Sequence, residues 1–401
     1  MKKELLILKN CRQRTLELYF SRIKLFEHSL YHTLVFWVFF LASFGAINIL
    51  GVKASYLLYG LSVGVIAFTK LSIKSWIYVC LIAASLILSA LLSGAIERIE
   101  MLFYHLFFLI LAVSLYFRRA QFSVEFIRRI ARVVLFTLIT LTALQLFQIS
   151  NILAFDAINF PSISYFDTVL PGAGFSNPNN NAYYIFFAWV LLSFLDVKFA
   201  EQKINYIDLL VGLCMLVTAS RYFTVCFFTI MLFKFLDFKK IKYLVPLVPI
   251  LIYGYLQLFD FLSSNNVEFY FSKLEALRTI ELTNTLEARF EYLGYFLSFD
   301  WVPFGLRADY SEWSAPHSFV FELTFMYGIV GLLCVLVPLA YVVLYSIRGA
   351  STFSGAMGNA ALIAIIFFGW FIPSTLSISA LHYLLCLLFA ISAKRSPNHA
   401  L

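Results

Sequence analysis

The 401 residues are 62% hydrophobic and 18% aromatic, and only 13% are charged, about half the charged share of a soluble domain. That composition excludes an ordinary water-soluble enzyme, and the six cysteines show no metal-ligand spacing, so neither a disulfide framework nor a zinc site is expected. The net charge of +8 would suit nucleic acid, but its distribution along the chain fits membrane sidedness instead, and no nucleic-acid partner is expected.

Residues 1–32 form a basic segment with Lys2, Lys3, Lys9, Arg12, Arg14, Arg22 and Lys24. Leu16, Tyr19, Phe20 and Ile23 recur in it at helical spacing, as in a helix lying on a membrane surface. Apolar runs then predict an all-α, polytopic transmembrane protein, one integral membrane domain over 1–401. About twelve spans are expected, at 33–51, 54–69, 75–94, 100–117, 133–154, 182–196, 206–220, 222–236, 243–260, 317–345, 356–373 and 376–393. A span needs about 20 apolar residues. The two short spans around Arg221 are kept apart because an arginine at mid-bilayer costs about 2.5–3.5 kcal/mol. Fusing them would also reverse every later loop. With both termini cytoplasmic, 23 of the 30 Lys and Arg lie inside and 7 outside, the asymmetry that sets orientation.

One large external loop, 261–316, separates spans nine and ten. A polar connection this long in a compact protein is functional or disordered, and its many aromatic residues argue for order. Within it Asn284 and Glu287 resemble a helix cap. Leu286, Phe290, Leu293 and Leu297 follow as one apolar stripe at helical spacing. On a helix resting on the membrane, Arg289 stands at the edge of that stripe and points along the headgroup plane. Arg307 follows Pro303-Phe304-Gly305. Ser314 and Pro316 suit the start of the tenth span, and His317 then lies at its positive dipole end, biased toward the neutral form. Glu322, five residues further in, falls on another face, and its role is unassigned.

Two other external features offer groups for a polar ligand. Loop 155–181 ends in Gly172-Ala-Gly-Phe-Ser-Asn-Pro-Asn-Asn-Asn181. These residues serve equally as a turn or as donors for sugar hydroxyls or phosphate, with Asn177 and Asn179 the candidate ligands. Arg221, at the apex of a tight turn, either snorkels to lipid phosphate or faces a cavity.

The run Gly174-Phe-Ser-Asn-Pro-Asn-Asn-Asn-Ala182, then Ser220-Arg221, Arg289, Phe304-Gly305, and His317 eleven residues before Gly328 together resemble the O-antigen polymerase and ligase superfamily. These are membrane glycosyltransferases that use undecaprenyl-diphosphate-linked glycans. The resemblance covers roughly 170–335 and rests on the order of five short motifs. His317-Ser318 stands where the family often has His-Asn, and a second glycine near Gly305 is missing. The resemblance implies a bacterial inner-membrane enzyme that works on the periplasmic face without metal or cofactor. Its partners would be undecaprenyl-diphosphate-linked oligosaccharides, membrane lipids and a chain-length regulator protein. Arg221 and Arg289 would hold the diphosphate, and His317 would activate the acceptor hydroxyl. Polymerase is the expected activity. The alternatives are a ligase that moves glycan to lipid A–core or, in another class, a lipid-linked oligosaccharide flippase.

The orientation makes a direct prediction. A cysteine replacing Lys240 should resist an impermeant thiol reagent in intact cells with permeabilised outer membranes. Labelling there would overturn the twelve-span arrangement.

Overall fold

The computed structural model describes residues 27–44, 47–49, 52–69, 71–93, 99–118, 121–149, 160, 164–165, 168–169, 178–195, 205–218, 223–224, 226–228, 230–231, 291–306 and 319–348. The described chain is almost wholly helical. In order come α1 (27–42), a hairpin of β1 (Asn48–Ile49) and β2 (Val52–Lys53), α2 (Ala54–Ala67), α3 (Ile73–Ser93), α4 (Ile99–Phe117) and α5 (Val124–Ile149). A second hairpin, β3 (Ser164–Tyr165) with β4 (Thr168–Val169), precedes α6 (Pro178–Leu195) and α7 (Tyr206–Val217). Helical residues between 223 and 231, α8 (291–298) and α9 (Phe319–Arg348) complete it. The predicted spans 243–260, 356–373 and 376–393 lie outside the described residues, as does the basic segment before residue 27.

Three expected boundaries are corrected. The first span does not run to residue 51, because α1 stops at 42 and Asn48 pairs with Lys53 across a hairpin. Helix α5 starts at Val124, not at 133, so Arg128, Arg129 and Arg132 are helical and not part of a loop. Ser123 explains this start, since its Oγ accepts from the Phe126 N–H at 3.1 Å, a capping contact. The predicted residues 150–154 of that span lie outside the described residues. Helix α6 opens at Pro178 and draws Asn179 to Asn181 out of the predicted loop, since proline is pre-organised for a first helical turn.

Helix α3 shows what the protein's outer surface is made for. Its buried residues include Ser75, Ser89, Ala90 and Ser93, while Ile73, Tyr78, Leu81 and Leu88 are exposed. Water would favour the reverse arrangement. Small residues inside and large apolar ones outside is how helices associate when the surroundings are as apolar as leucine. Two helices, Ile73–Ser93 and Val124–Gln148, are long and apolar enough to cross a membrane.

The larger core gathers α1, α2, α4, α5, α6, α7 and the 223–231 residues. Helix α6 is its axis. Every residue from Ala182 to Leu192 is no more than 3% exposed, so the helix is apolar all round and enclosed by neighbours. It packs most extensively on α5, and also on α7. Two polar clasps fix it. Asn181 Nδ2 donates to Thr142 Oγ1 on α5 at 2.8 Å, and Trp189 Nε1 donates to Asp208 Oδ1 on α7 at 2.8 Å. Asp208 is also half of a capping box. Its Oδ2 accepts from the Asn205 N–H, and its own N–H donates to Asn205 Oδ1. Elsewhere Arg118 closes the end of α2 by donating to the Phe68 and Thr69 carbonyls, with its guanidinium 5.3 Å from the Tyr31 ring centre.

Trp189→Phe keeps the ring but leaves Asp208 Oδ1 without that donor. A loss of about 1–3 kcal/mol is expected for a buried acceptor deprived of its partner, read as a lower melting temperature of the detergent-purified protein. An unchanged melting temperature would mean that the clasp contributes nothing.

Candidate functional site

Most of the residues singled out from sequence, namely Arg221, Arg289, Arg307, His317 and Asn177, lie outside the described residues. Asn179 is in the first turn of α6, and Glu322 is in α9. The structure does not bring the first five together or apart. What it defines is the scaffold between them, the segment 291–306, which belongs to the loop predicted to be external, and the helix on which that segment is seated.

That helix is α9, the predicted tenth span, and it is not one continuous rod. At Gly328 the backbone takes φ 57° and ψ −138°, and the helix breaks. In an unbroken helix the Ile329 N–H would bond the Phe325 carbonyl, four residues back. Here the Ile329 N–H donates to Pro303 O at 3.0 Å, and Phe325 O accepts instead from the Leu306 N–H at 2.9 Å. One internal hydrogen bond is thus exchanged for two with the loop segment. Ser93 Oγ of α3 donates to Met326 O at 3.2 Å, satisfying a further carbonyl at the break.

Backbone lies against backbone here, which requires glycine. A Cβ on Gly328 would stand 2.0 Å from Pro303 O, and one on Gly305 (φ 113°) 2.5 Å from Phe325 O. The peptide bond before Pro303 is cis. Side chains complete the seat. Trp301 is buried, stacks on Phe296 at 5.5 Å and donates its Nε1–H to Phe296 O at 2.8 Å. Phe296 also lies against Phe321 of α9 at 5.3 Å.

Helix α8 therefore has an aromatic inner face, with Tyr292 buried and Tyr295 and Phe296 packed against the second core. Leu293 and Leu297, the described half of the predicted stripe, are 36% and 59% exposed. The stripe is present, but it does not face the protein. On the outer side Tyr295 Oη donates to Glu291 Oε1 at 3.3 Å, and the adjacent Glu291 carboxylate, together with desolvation, raises the tyrosine's pKa.

Beneath the break lies a polar pair that the sequence reading passed over. His105 Nδ1 of α4 and the Tyr327 hydroxyl of α9 are 2.7 Å apart in a hydrogen bond, with the rings edge-to-face at 5.5 Å. Tyr327 is wholly buried and immediately precedes Gly328. A signal was available, because His105 is an ionisable residue inside the predicted span 100–117, and such a residue is a functional candidate by default. Together Ser93, His105 and the strap at 303–306 hold α9 at its break. Among the described residues no cluster of His, Cys, Asp and Glu is placed to hold a metal ion.

The class of protein that this geometry defines is a helical one with two helices apolar enough to cross a membrane and a segment, 303–306, keyed into a broken helix. No protein-family model matches the chain, and no curated protein does.

Two substitutions test the scaffold. Gly328→Ala adds a methyl where no room exists and should destabilise by more than about 4 kcal/mol, leaving little folded protein. Tyr327→Phe removes only the bond to His105, for which membrane-protein cycles give about 0.6 kcal/mol and at most about 1.7. In a double-mutant cycle with His105→Phe, the second change should then cost little. Full additivity of the two would exclude the pair as a unit.

Proposed function

We propose that the chain is a twelve-span bacterial inner-membrane glycosyltransferase with both termini in the cytoplasm. It polymerises undecaprenyl-diphosphate-linked oligosaccharide repeat units on the periplasmic face. The hydroxyl of a sugar on one lipid-linked unit attacks the anomeric carbon of another. The new glycosidic bond forms as the bond from that carbon to the diphosphate oxygen breaks, so configuration inverts. Arg221 and Arg289 hold the departing diphosphate through bidentate, charge-assisted contacts and stabilise its developing charge. His317 takes the hydroxyl proton. Arg307, Asn177 and Asn179 contact the glycan. No metal or cofactor is required, and a chain-length regulator protein is the natural partner.

One observation carries most of the support, the keying of 303–306 into the break of α9. In sequence Arg289 stands two residues before the described segment 291–306, Arg307 directly after it, and His317 two residues before α9. Three proposed site residues are thus attached to the ends of segments that are bolted to one another. A loop needed only to connect two spans has no use for such an anchor. The flippase alternative is less well supported. Transporters aim the ends of broken helices at substrate, whereas the described ends here are already bonded to the chain's own strap. The ligase, which shares this chemistry with a different acceptor, remains the second reading.

Deleting the gene separates the two. Core carrying a single repeat indicates the polymerase, and bare core with accumulated lipid-linked polymer indicates the ligase. Within the protein, His317→Ala should lower chain elongation by about 10²–10⁴-fold, the usual worth of general-base assistance, with protein level unchanged. Polymer of normal length from that variant would remove His317 from the mechanism.

A further inference from the structure

His32, in the second turn of α1, is engaged through both of its ring nitrogens. Nδ1 lies 2.8 Å from the His28 carbonyl oxygen of its own helix, and Nε2 lies 3.2 Å from the Gln121 carbonyl oxygen in the link between α4 and α5. A carbonyl oxygen only accepts, and a neutral imidazole has one N–H to give. Both contacts are hydrogen bonds only when both nitrogens carry protons. Turning the ring over does not help, because it puts C–H groups where the nitrogens stand.

The surroundings suit a charged ring. Phe126 of α5 and Phe122 of the link stand edge-to-face to it, with ring centres 4.6 and 5.6 Å away, within the range at which an aromatic ring attracts a cation. His28 lies beside it at 4.2 Å. Desolvation, and then the charge on His32, lower the pKa of His28 against an opposing hydrogen bond from the Gln121 side chain. The charge of the pair is thereby left to His32. Arg118 of the link also disfavours a charged His28, but its guanidinium is committed to the Phe68 and Thr69 carbonyls and lies over Tyr31. Among the other charges on these elements, Glu125 and Arg128 of α5 pair with each other at 2.8 Å. Arg129 is exposed, and Glu27 begins α1.

We propose that His32 is a proton-operated latch between α1 and the link from α4 to α5. Carrying two protons, it spans the two carbonyls and ties the first turns of α1 to the start of α5. When the Nε2 proton leaves for water, which the half-buried ring can reach, the Gln121 contact is lost and the latch opens. Carbonyls on both sides of the ring select a proton over a metal ion, which would need a free nitrogen lone pair. The latch therefore contributes below the histidine range and is lost as pH rises through it. His28 works the other way, because its lowered pKa costs stability as pH falls. The inference is independent of the glycosyltransferase reading.

The test is hydrogen exchange of the full chain in detergent, read at the amides of Tyr31 to Phe36 and corrected for the intrinsic pH dependence of exchange. His28→Gln keeps the backbone carbonyl and removes the opposing titration. In H28Q, protection should fall at least about ten-fold between about pH 5.5 and about pH 8.5, on either side of the ordinary histidine value. That is the extra opening expected when one hydrogen bond from a charged group is lost. H28Q/H32Q should be flat across the same range. Nitrogen NMR of His32 in H28Q should show two protonated ring nitrogens at the lower pH, with a midpoint that matches the loss of protection. Flat protection in H28Q, an equal slope in the double variant, or a midpoint that does not match would overturn the latch. Zinc that raises protection of the wild-type chain at the higher pH would overturn it too, since that marks a metal site at His28 and His32.

Discussion

The described architecture hinges on one hydrogen bond that is not made. Ile329 and Phe325 are four residues apart in α9, and their backbone groups would close a helical turn if Gly328 did not open it. In an apolar surrounding each orphaned backbone group costs several kcal/mol, so an open turn survives only where other groups fill it. Pro303 and Leu306 fill it from the segment that precedes α9, and Ser93 fills it from α3. The loop is consequently part of the helix's hydrogen-bond ladder, and α9 cannot straighten without expelling the loop. Trp301, Phe296 and Phe321 add packing to the same joint.

The break is also where separate parts of the molecule meet. The second core joins α3, α4, α8 and α9 around it, and the His105–Tyr327 pair ties α4 to the residue next to Gly328. Ser75 and Ser89 of α3 face inward while Leu81, Leu88, Leu91 and Leu92 face out. In such surroundings association depends on close contact and on polar groups that find partners, since apolar surface gains nothing by leaving lipid. Serine, glycine and histidine therefore do at this joint what leucine and phenylalanine do in a water-soluble core.

Much of the helical plan was legible in sequence, because a long apolar run has few other outcomes. Helices α2, α3 and α4 begin and end within two residues of their predicted spans. The misplaced ends fall where local chemistry overrides hydropathy, at the Ser123 cap, at Pro178, and at the pairing of Asn48 with Lys53. Gly305 and Gly328 stood out as elements of a motif, but their mutual contact did not. Nothing in linear order says that a glycine in a loop and one in a span exist to touch each other. Asn181 illustrates a related gap. It belonged to a run noted for external polar ligands, yet it reaches inward to Thr142, because a helix starting at Pro178 turns it toward α5.

The enclosure of α6 carries a consequence for how the chain is made. A helix with Asn180 and Asn181 at one end and Trp189 near the other, all buried, presents no surface that lipid alone would accept at those points. Its polar groups need protein partners from the start. Thr142 is synthesised 39 residues before Asn181, so that partner is waiting when α6 emerges. Asp208 follows Trp189 by 19 residues, a delay of roughly 1–4 s at about 5–20 residues per second. During that interval the indole N–H has no carboxylate to meet. The emerging chain is thus most exposed to mispairing between the completion of α6 and the arrival of α7.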